Sequence, residues 1–263
     1  MPMIVSQGPS GGTDIRNILI LGGTTEASAL AAVLAERGER ALLSYAGRTE
    51  RPRAQPVPIR VGGFGGVAGL AAFLREERIT HLVDATHPFA ATMSTNAADA
   101  ARETGVRHIL LTRPAWMPAE GDRWTHVPDI AAAVAALAGP SRRVMLALGR
   151  MHVEAFAAQP QHHYLLRFVD APDGAPALPH HSLVVDRGPF SVEGDLGLLR
   201  DHRIDLLLCK NAGGSGAEAK LIAARALGLP VLLIDRPPTP EARIVHDVDA
   251  VFDWLDHSAD LGV

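Results

Sequence analysis

The residues of this chain that could do chemistry fall in a few glycine-rich or charged stretches, each just after an apolar run. Gly22-Gly23-Thr24-Thr25-Glu26 follows Ile18–Leu21 and precedes a helical pattern. Glycines at a strand-to-helix turn let the backbone approach a pyrophosphate. The helix N-terminus then offers amide donors and the positive end of its dipole. Thr24 and Thr25 are candidate hydroxyl donors. The order departs from Gly-x-Gly-x-x-Gly, since Ala27 stands where a third glycine is expected. Ser44-Tyr45-Ala46-Gly47-Arg48 follows the next apolar run, with no carboxylate before Glu50. An NAD site usually places an acid there to hold the ribose hydroxyls, so Ser44 and Arg48 favour a 2′-phosphate and hence NADPH. Gly62-Gly63-Phe64-Gly65-Gly66 is dense enough in glycine to bring backbone close to something flat, such as an adenine. Asp84-Ala85-Thr86-His87-Pro88 ends another apolar run. There His87 is a candidate donor to cofactor or substrate that titrates near neutrality.

The second half of the chain carries cations at the corresponding places: Arg150, Arg167, Arg187 and Lys210. Lys210-Asn211-Ala212-Gly213-Gly214-Ser215-Gly216 is the strongest of these motifs. Its glycines are expected to free amides at a helix N-terminus beside a compact ammonium, with Lys220 two to three turns along that helix. That chemistry suits a ligand with several carboxylates. No zinc-ligand spacing, Gly-x-Ser-x-Gly elbow or Walker loop is present, and His162-His163 and His180-His181 read as loop pairs rather than a metal site.

The elements that must position these residues form a repeat. Ile18–Pro114 and Val144–Pro237 spell the same order at an offset of about 125 residues. Ile79–Thr86 aligns with Ile204–Asn211, and Gly105–Pro114 with Gly228–Pro237. A repeat of this length is a whole lobe. In the first lobe, strands are expected at Ile18–Leu21, Ala41–Tyr45, Ile59–Val61, His81–Asp84 and His108–Leu111. In the second, they are expected near Val144–Leu148, Tyr164–Phe168, Leu183–Val185, Asp205–Cys209 and Val231–Ile234. Short apolar runs alternating with helices imply parallel sheets covered on both faces. The predicted fold is α/β, two similar Rossmann-like lobes with a cleft between them, a favoured place for ligands. The expected divisions are a disordered extension over 1–15, an NADP-binding lobe over 16–113 and a linker with a helix over 114–140. A substrate-binding lobe over 141–240 and a C-terminal helix over 241–263 complete them. Whether each lobe's trailing "Arg-Pro, loop, helix" segment packs on its own lobe or crosses to the other is open at this point.

Bulk properties exclude several classes. A formal net charge of −4 leaves no general basic face for nucleic acid. No apolar run approaches the roughly 20 residues of a membrane span, and the first residues do not read as a signal peptide. A single cysteine, Cys209, rules out an internal disulfide and suits the cytoplasm.

Taken in order, Leu21–Ala27, Ser44–Arg48, Gly62–Gly66, Asp84–Ala90, Arg113–Trp116, Leu148–Arg150 and Lys210–Gly214 resemble the precorrin-6A reductase family over roughly residues 17–255. That resemblance implies reduction of a ring D double bond of precorrin-6A by NADPH in cobalamin synthesis, giving precorrin-6B. It places the cofactor on Gly22, Gly23, Thr24, Thr25, Glu26, Ser44, Gly47, Arg48, Gly63, Phe64, Gly65, Thr86 and His87. It places the tetrapyrrole's acid arms on Arg113, Arg150, Lys210, Asn211, Gly213, Gly214 and Lys220. His87 and Lys210 are the candidate catalytic groups, the proton donor is open among His87, Tyr45, Lys210 and a water, and no metal is implied. A monomer that takes its substrate by transient hand-off is the expected state. Two other readings stay open: a non-catalytic NADP-binding sensor, and an NADP-dependent reductase of another polyanion, cobalt-precorrin-6A included.

Overall fold

The computed structural model describes residues 16–46, 54–172 and 174–257. The first half runs β1 (Asn17–Leu21), α1 (Thr25–Glu36), β2 (Arg40–Tyr45), β3 (Ile59–Val61), α2 (Gly66–Glu76), β4 (His81–Asp84), α3 (Ala91–Thr104) and β5 (Arg107–Leu111). The second runs β6 (Trp124–Val127), α4 (Ile130–Ala135), β7 (Arg143–Ala147), β8 (His163–Phe168), β9 (His181–Val185), α5 (Val192–Asp201), β10 (Leu206–Lys210), α6 (Ala219–Ala226), β11 (Val231–Ile234), β12 (Arg243–Val245) and α7 (Val248–His257).

These elements form two units, each with a six-stranded sheet. The first sheet has the order β3-β2-β1-β4-β5-β12 and every pairing is parallel. The second has the order β9-β8-β7-β10-β11-β6, again all parallel. Both are α/β Rossmann-like sheets flanked by helices, as the alternating apolar runs predict. In each, the strand order reverses between the first and fourth strands of the repeat. That is the point where open α/β sheets bind ligands, at the strands' carboxyl ends.

Continuous burial explains why the strands read as unbroken apolar runs. All five residues of β1 are buried. Ile18 and Ile20 pack toward α1 and α7, whereas Leu19 and Leu21 pack toward α2 and α3. Alanines Ala97, Ala100 and Ala101 on α3 suit a close helix-on-sheet approach.

Ten strands are expected from the sequence, and each sheet has one more. The extra strands are exchanged across the repeat: β6 and α4 follow β5 in the chain but belong to the second unit. β12 and α7 follow β11 but belong to the first. Both added strands lie at a sheet edge, and Trp124-Thr-His-Val and Arg243-Ile-Val are too short and mixed to carry a period. Their strand character comes from the ladder they join, register Trp124↔Val231 and Arg243↔Ile109.

Candidate functional site

In the first unit, Gly22–Glu26 lies at the reversal point between β1 and β4. Gly22 N donates to Ser44 O at 2.8 Å, tying the loop to the end of β2. A Cβ on Gly22 would stand 2.6 Å from Leu43 Cδ1. Gly23 has φ +123, a conformation that favours glycine. Thr24 caps α1, its hydroxyl oxygen accepting from Ala27 N at 3.1 Å and its proton going to Ala85 O at 2.8 Å. This one side chain therefore joins the start of α1 to the loop after β4. The sequence offered Thr24 as a ligand donor, and the structure commits that proton internally. Thr25 donates to Glu26 Oε2 at 3.2 Å on the exposed side. What the loop presents to a ligand is backbone: the first-turn amides and the helix dipole.

The ends of β2 and β3 lie side by side, with Ser44 paired to Arg60. Ser44 is buried, and its Oγ accepts from an Arg60 terminal nitrogen at 3.3 Å. The same guanidinium donates to Gly62 O, and to Gly63 O at 2.9 Å. It lies 3.9 Å over the Phe64 ring, which itself packs edge-on to Phe73 with centroids 5.1 Å apart. Gly65 is the N-cap of α2, in the left-handed region at φ 84. Gly69, one turn in, would put a Cβ 1.7 Å from Phe64 O, so the loop closes onto the helix only because that residue is glycine. Gly63 is different: its φ lies outside the region that favours glycine and a Cβ there meets nothing within 4 Å. The candidate residues Gly47 and Arg48 lie outside the described residues.

At the end of β4, Asp84 is fully buried. Its Oδ1 accepts from Thr86 N at 3.0 Å. Asp84 Oδ2 and His108 Nε2 are both buried without a hydrogen-bond partner. Burial lowers the His108 pKa, and the Asp84 charge opposes that shift. Thr86, 8% exposed, sits 3.5 Å by its hydroxyl from Ser94 Oγ.

His87–Ala91 belongs to the second unit although its neighbours on both sides belong to the first. Phe89 N donates to His87 Nδ1 at 3.2 Å, which leaves the proton of a neutral imidazole on Nε2 as a donor. Phe89 packs on the second unit's core. Its ring lies 4.8 Å below Lys210 Nζ. Lys210 stands at the end of β10, with Nζ 2.8 Å from His152 Nε2. A lysine ammonium there donates to the Nε2 lone pair of a neutral imidazole whose own proton is on Nδ1. His152 comes from a short 3-10 turn, Arg150–His152, that begins at Gly149 at the end of β7. Arg150 in that turn is exposed. Lys210 and Arg150 thus occupy the reversal point of the second sheet, the counterparts of Ala85 and Gly23 in the first.

The rest of the lysine motif is held from within. Asn211 is 6% exposed; its amide accepts from Trp116 N at 2.8 Å and donates to Trp116 O at 3.2 Å. Trp116 Nε1 donates to Gly214 O at 2.9 Å. Arg236 clasps both segments, donating to Asn211 O at 2.9 Å, Ala212 O at 3.0 Å and Arg113 O at 2.9 Å. Arg113 adds a bond to Ala212 O at 2.8 Å. A Cβ on Gly213 would fall 2.0 Å from Pro114 O, and one on Gly214 2.5 Å from Arg113 Cδ. These glycines let Arg113–Trp116 lie against the loop. The sequence reading put Lys220 two to three turns into the following helix. Instead α6 begins at Ala219, because a 3-10 turn at Ser215–Ala217 precedes it, so Lys220 is in the first turn. Its ammonium is buried, donates to Ala217 O and lies 4.8 Å over the Trp116 ring. Burial lowers its pKa, opposed by the nearby Cys209.

Sequence reasoning missed Arg60, His152 and Arg236. Arg60 and His152 carry no motif, and each is recognised only by the residue it meets. Arg236 did carry a signal, since its Arg-Pro step mirrors Arg113-Pro114 in the repeat.

Against known proteins, the family model Precorrin-6x reductase CbiJ/CobK matches residues 17–256. A Rhodobacter capsulatus protein named precorrin-6A reductase is 58% identical over 92% of this chain and 97% of its own length. One from Sinorhizobium is 48% identical over 91% and 92%. A cobalt-precorrin-6A reductase of Priestia megaterium is 28% identical over 84% and 90%. The solved structure of CobK precorrin-6A reductase superposes with TM-score 0.88 at 57% identity, covering 92% of this chain and 96% of that one. With two Rossmann-like units, the motif order Gly-Gly-Thr-Thr to Lys-Asn-Ala-Gly-Gly and a family match over nearly all the described residues, the chain belongs to the precorrin-6x reductase family.

Proposed function

We propose that this chain reduces precorrin-6A at a ring D double bond, using NADPH, to give precorrin-6B. The observation that carries the reading is the 58% identity to a protein of that name over almost its full length. The metal-free substrate is favoured over the cobalt-bearing one because relatives named for the former are 45–58% identical and those named for the latter 26–28%.

The first unit's donor set fits a phosphorylated dinucleotide. Gly22–Glu26 supplies backbone amides and a helix dipole for the pyrophosphate. Ser44, Gly47 and Arg48 receive the adenosine ribose and its phosphate, and Gly63–Gly65 with Phe64 flank the adenine. Gly63 supports this fit, since neither its conformation nor its packing calls for glycine. Thr86 and His87 meet the nicotinamide end. When bound, the reduced nicotinamide supplies the hydride.

The residues of this chain then orient, neutralise and protonate. Arg150, Arg113 and Lys210 pair with carboxylates of the macrocycle. Lys210, its ammonium held by His152, delivers a proton to the carbon beside the one that receives hydride. His87 holds its partner through Nε2–H. Asn211, Gly213, Gly214 and Lys220 serve by fixing the loop that carries Lys210. The test is parallel turnover of precorrin-6A and cobalt-precorrin-6A with NADPH and with NADH. Faster use of the cobalt-bearing substrate, or equal use of NADH, overturns the corresponding part of the assignment.

A further inference from the structure

We infer that Arg60 is a cation for the 2′-phosphate of the cofactor and contributes to the preference for NADPH over NADH. The inference rests on the proposal that the first unit binds NADPH and adds a residue to it. In a sheet of this order the adenosine ribose belongs at the carboxyl end of β2. Arg60 stands beside that end, in register with Ser44 on β3.

Three features mark it as a recognition group rather than a surface charge. All its hydrogen-bond acceptors are neutral: Ser44 Oγ, Gly62 O and Gly63 O. No carboxylate faces it among the described residues, so its charge is uncompensated there. It is also held in place, by the three backbone and hydroxyl acceptors and by the Phe64 ring 3.9 Å below it, with Phe73 at 5.2 Å. A guanidinium fixed this way binds an anion with little loss of side-chain freedom. Finally, its donors are not exhausted. Five N–H groups meet three acceptors, leaving two for phosphate oxygens. The neighbouring Gly63, with no conformational or packing need for glycine, leaves open space beside it.

The test uses the full chain and calorimetric titration with 2′,5′-ADP and 5′-ADP, which differ in the phosphate at issue. The intact protein is expected to prefer 2′,5′-ADP. Arg60→Gln should weaken 2′,5′-ADP by about 10- to 100-fold, as loss of a charge-assisted contact does, while changing 5′-ADP by less than about threefold. Arg60→Lys keeps the charge without the planar fork and should recover part of the preference. Phe64→Leu, which removes the ring beneath the cation, should lose a smaller part of it and covers the case in which Arg60→Gln does not fold. Equal weakening of both nucleotides by Arg60→Gln overturns the inference, because Arg60 then only supports the loop. So does an unchanged preference, or Arg60→Lys behaving as Arg60→Gln. If the intact protein itself shows no preference, the NADPH proposal falls together with this one. If that preference persists without Arg60, only the inference about Arg60 falls.

Discussion

The Lys210–His152 contact is where the proposed chemistry is most exposed to test. A lysine at a strand end is visible in the sequence, but its partner lies 58 residues away with no motif around it. Lys210→Ala should lower kcat/KM for the macrocycle about a hundredfold or more, within the range of a general acid plus a carboxylate contact, and leave NADPH affinity unchanged. His152→Gln should lower kcat about tenfold and shift its pH profile with little effect on KM for either substrate. Steady-state kinetics beside fluorescence titration of NADPH separates these outcomes. Weakened NADPH binding in Lys210→Ala would contradict the assignment.

A second residue-scale prediction concerns pH. Burial depresses the His108 pKa below 6.5. Between the folded value and 6.5 the unfolded chain binds a proton that the folded chain refuses. Its contribution is therefore present above 6.5 and lost as pH falls through that window. Thermal unfolding of the native protein from about pH 7.5 to about pH 5.5 should show a larger loss than that of His108→Phe. Parallel curves would show that His108 carries none of it.

At the scale of elements, glycines divide by what surrounds them. Gly69 faces Phe64 O and Gly213 faces Pro114 O, both backbone atoms that yield only if a loop moves. Gly69→Ala and Gly213→Ala should each destabilise by about 1–3 kcal/mol. The first should also weaken NADPH binding, because it displaces the Phe64 loop; the second should weaken use of the macrocycle instead. Denaturant unfolding and the two titrations check this, and crossed effects would contradict it. The element level is also where the sequence was most legible. Buried runs such as Ile18–Leu21 and Leu206–Cys209 are continuous and apolar because both sheet faces are covered. β6 and β12 escaped because an edge strand needs apolar residues on few positions and draws its regularity from a neighbour distant in sequence. The lysine motif was read as a ligand loop from its glycines. The structure explains Gly213 and Gly214 by the approach of Arg113–Trp116, a contact between segments about a hundred residues apart.

For the whole molecule, the duplication set the architecture but did not say which segments belong to which unit. The exchange of β6 and β12 makes the C-terminal segment part of the first unit's core. Val251, Phe252, Trp254 and Leu255 of α7 are buried there. At about 1.5–3 kcal/mol for each buried side chain, they contribute about 6–12 kcal/mol, comparable to the whole stability of a domain. Truncation after Thr239 should therefore abolish NADPH binding, although every proposed cofactor residue precedes that point. Retained binding would show that the first sheet stands without its exchanged strand.

The central claim is that a hydride from NADPH and a proton from solvent, relayed by this chain, are added to precorrin-6A. The most direct measurement is mass spectrometry of the product formed with NADPH deuterated at the carbon that gives up hydride, in ordinary water. The account predicts a product carrying one deuterium and one additional ordinary hydrogen. The same reaction with unlabelled NADPH in heavy water should carry its one deuterium from the solvent. A product without cofactor deuterium, or no product at all, would contradict it.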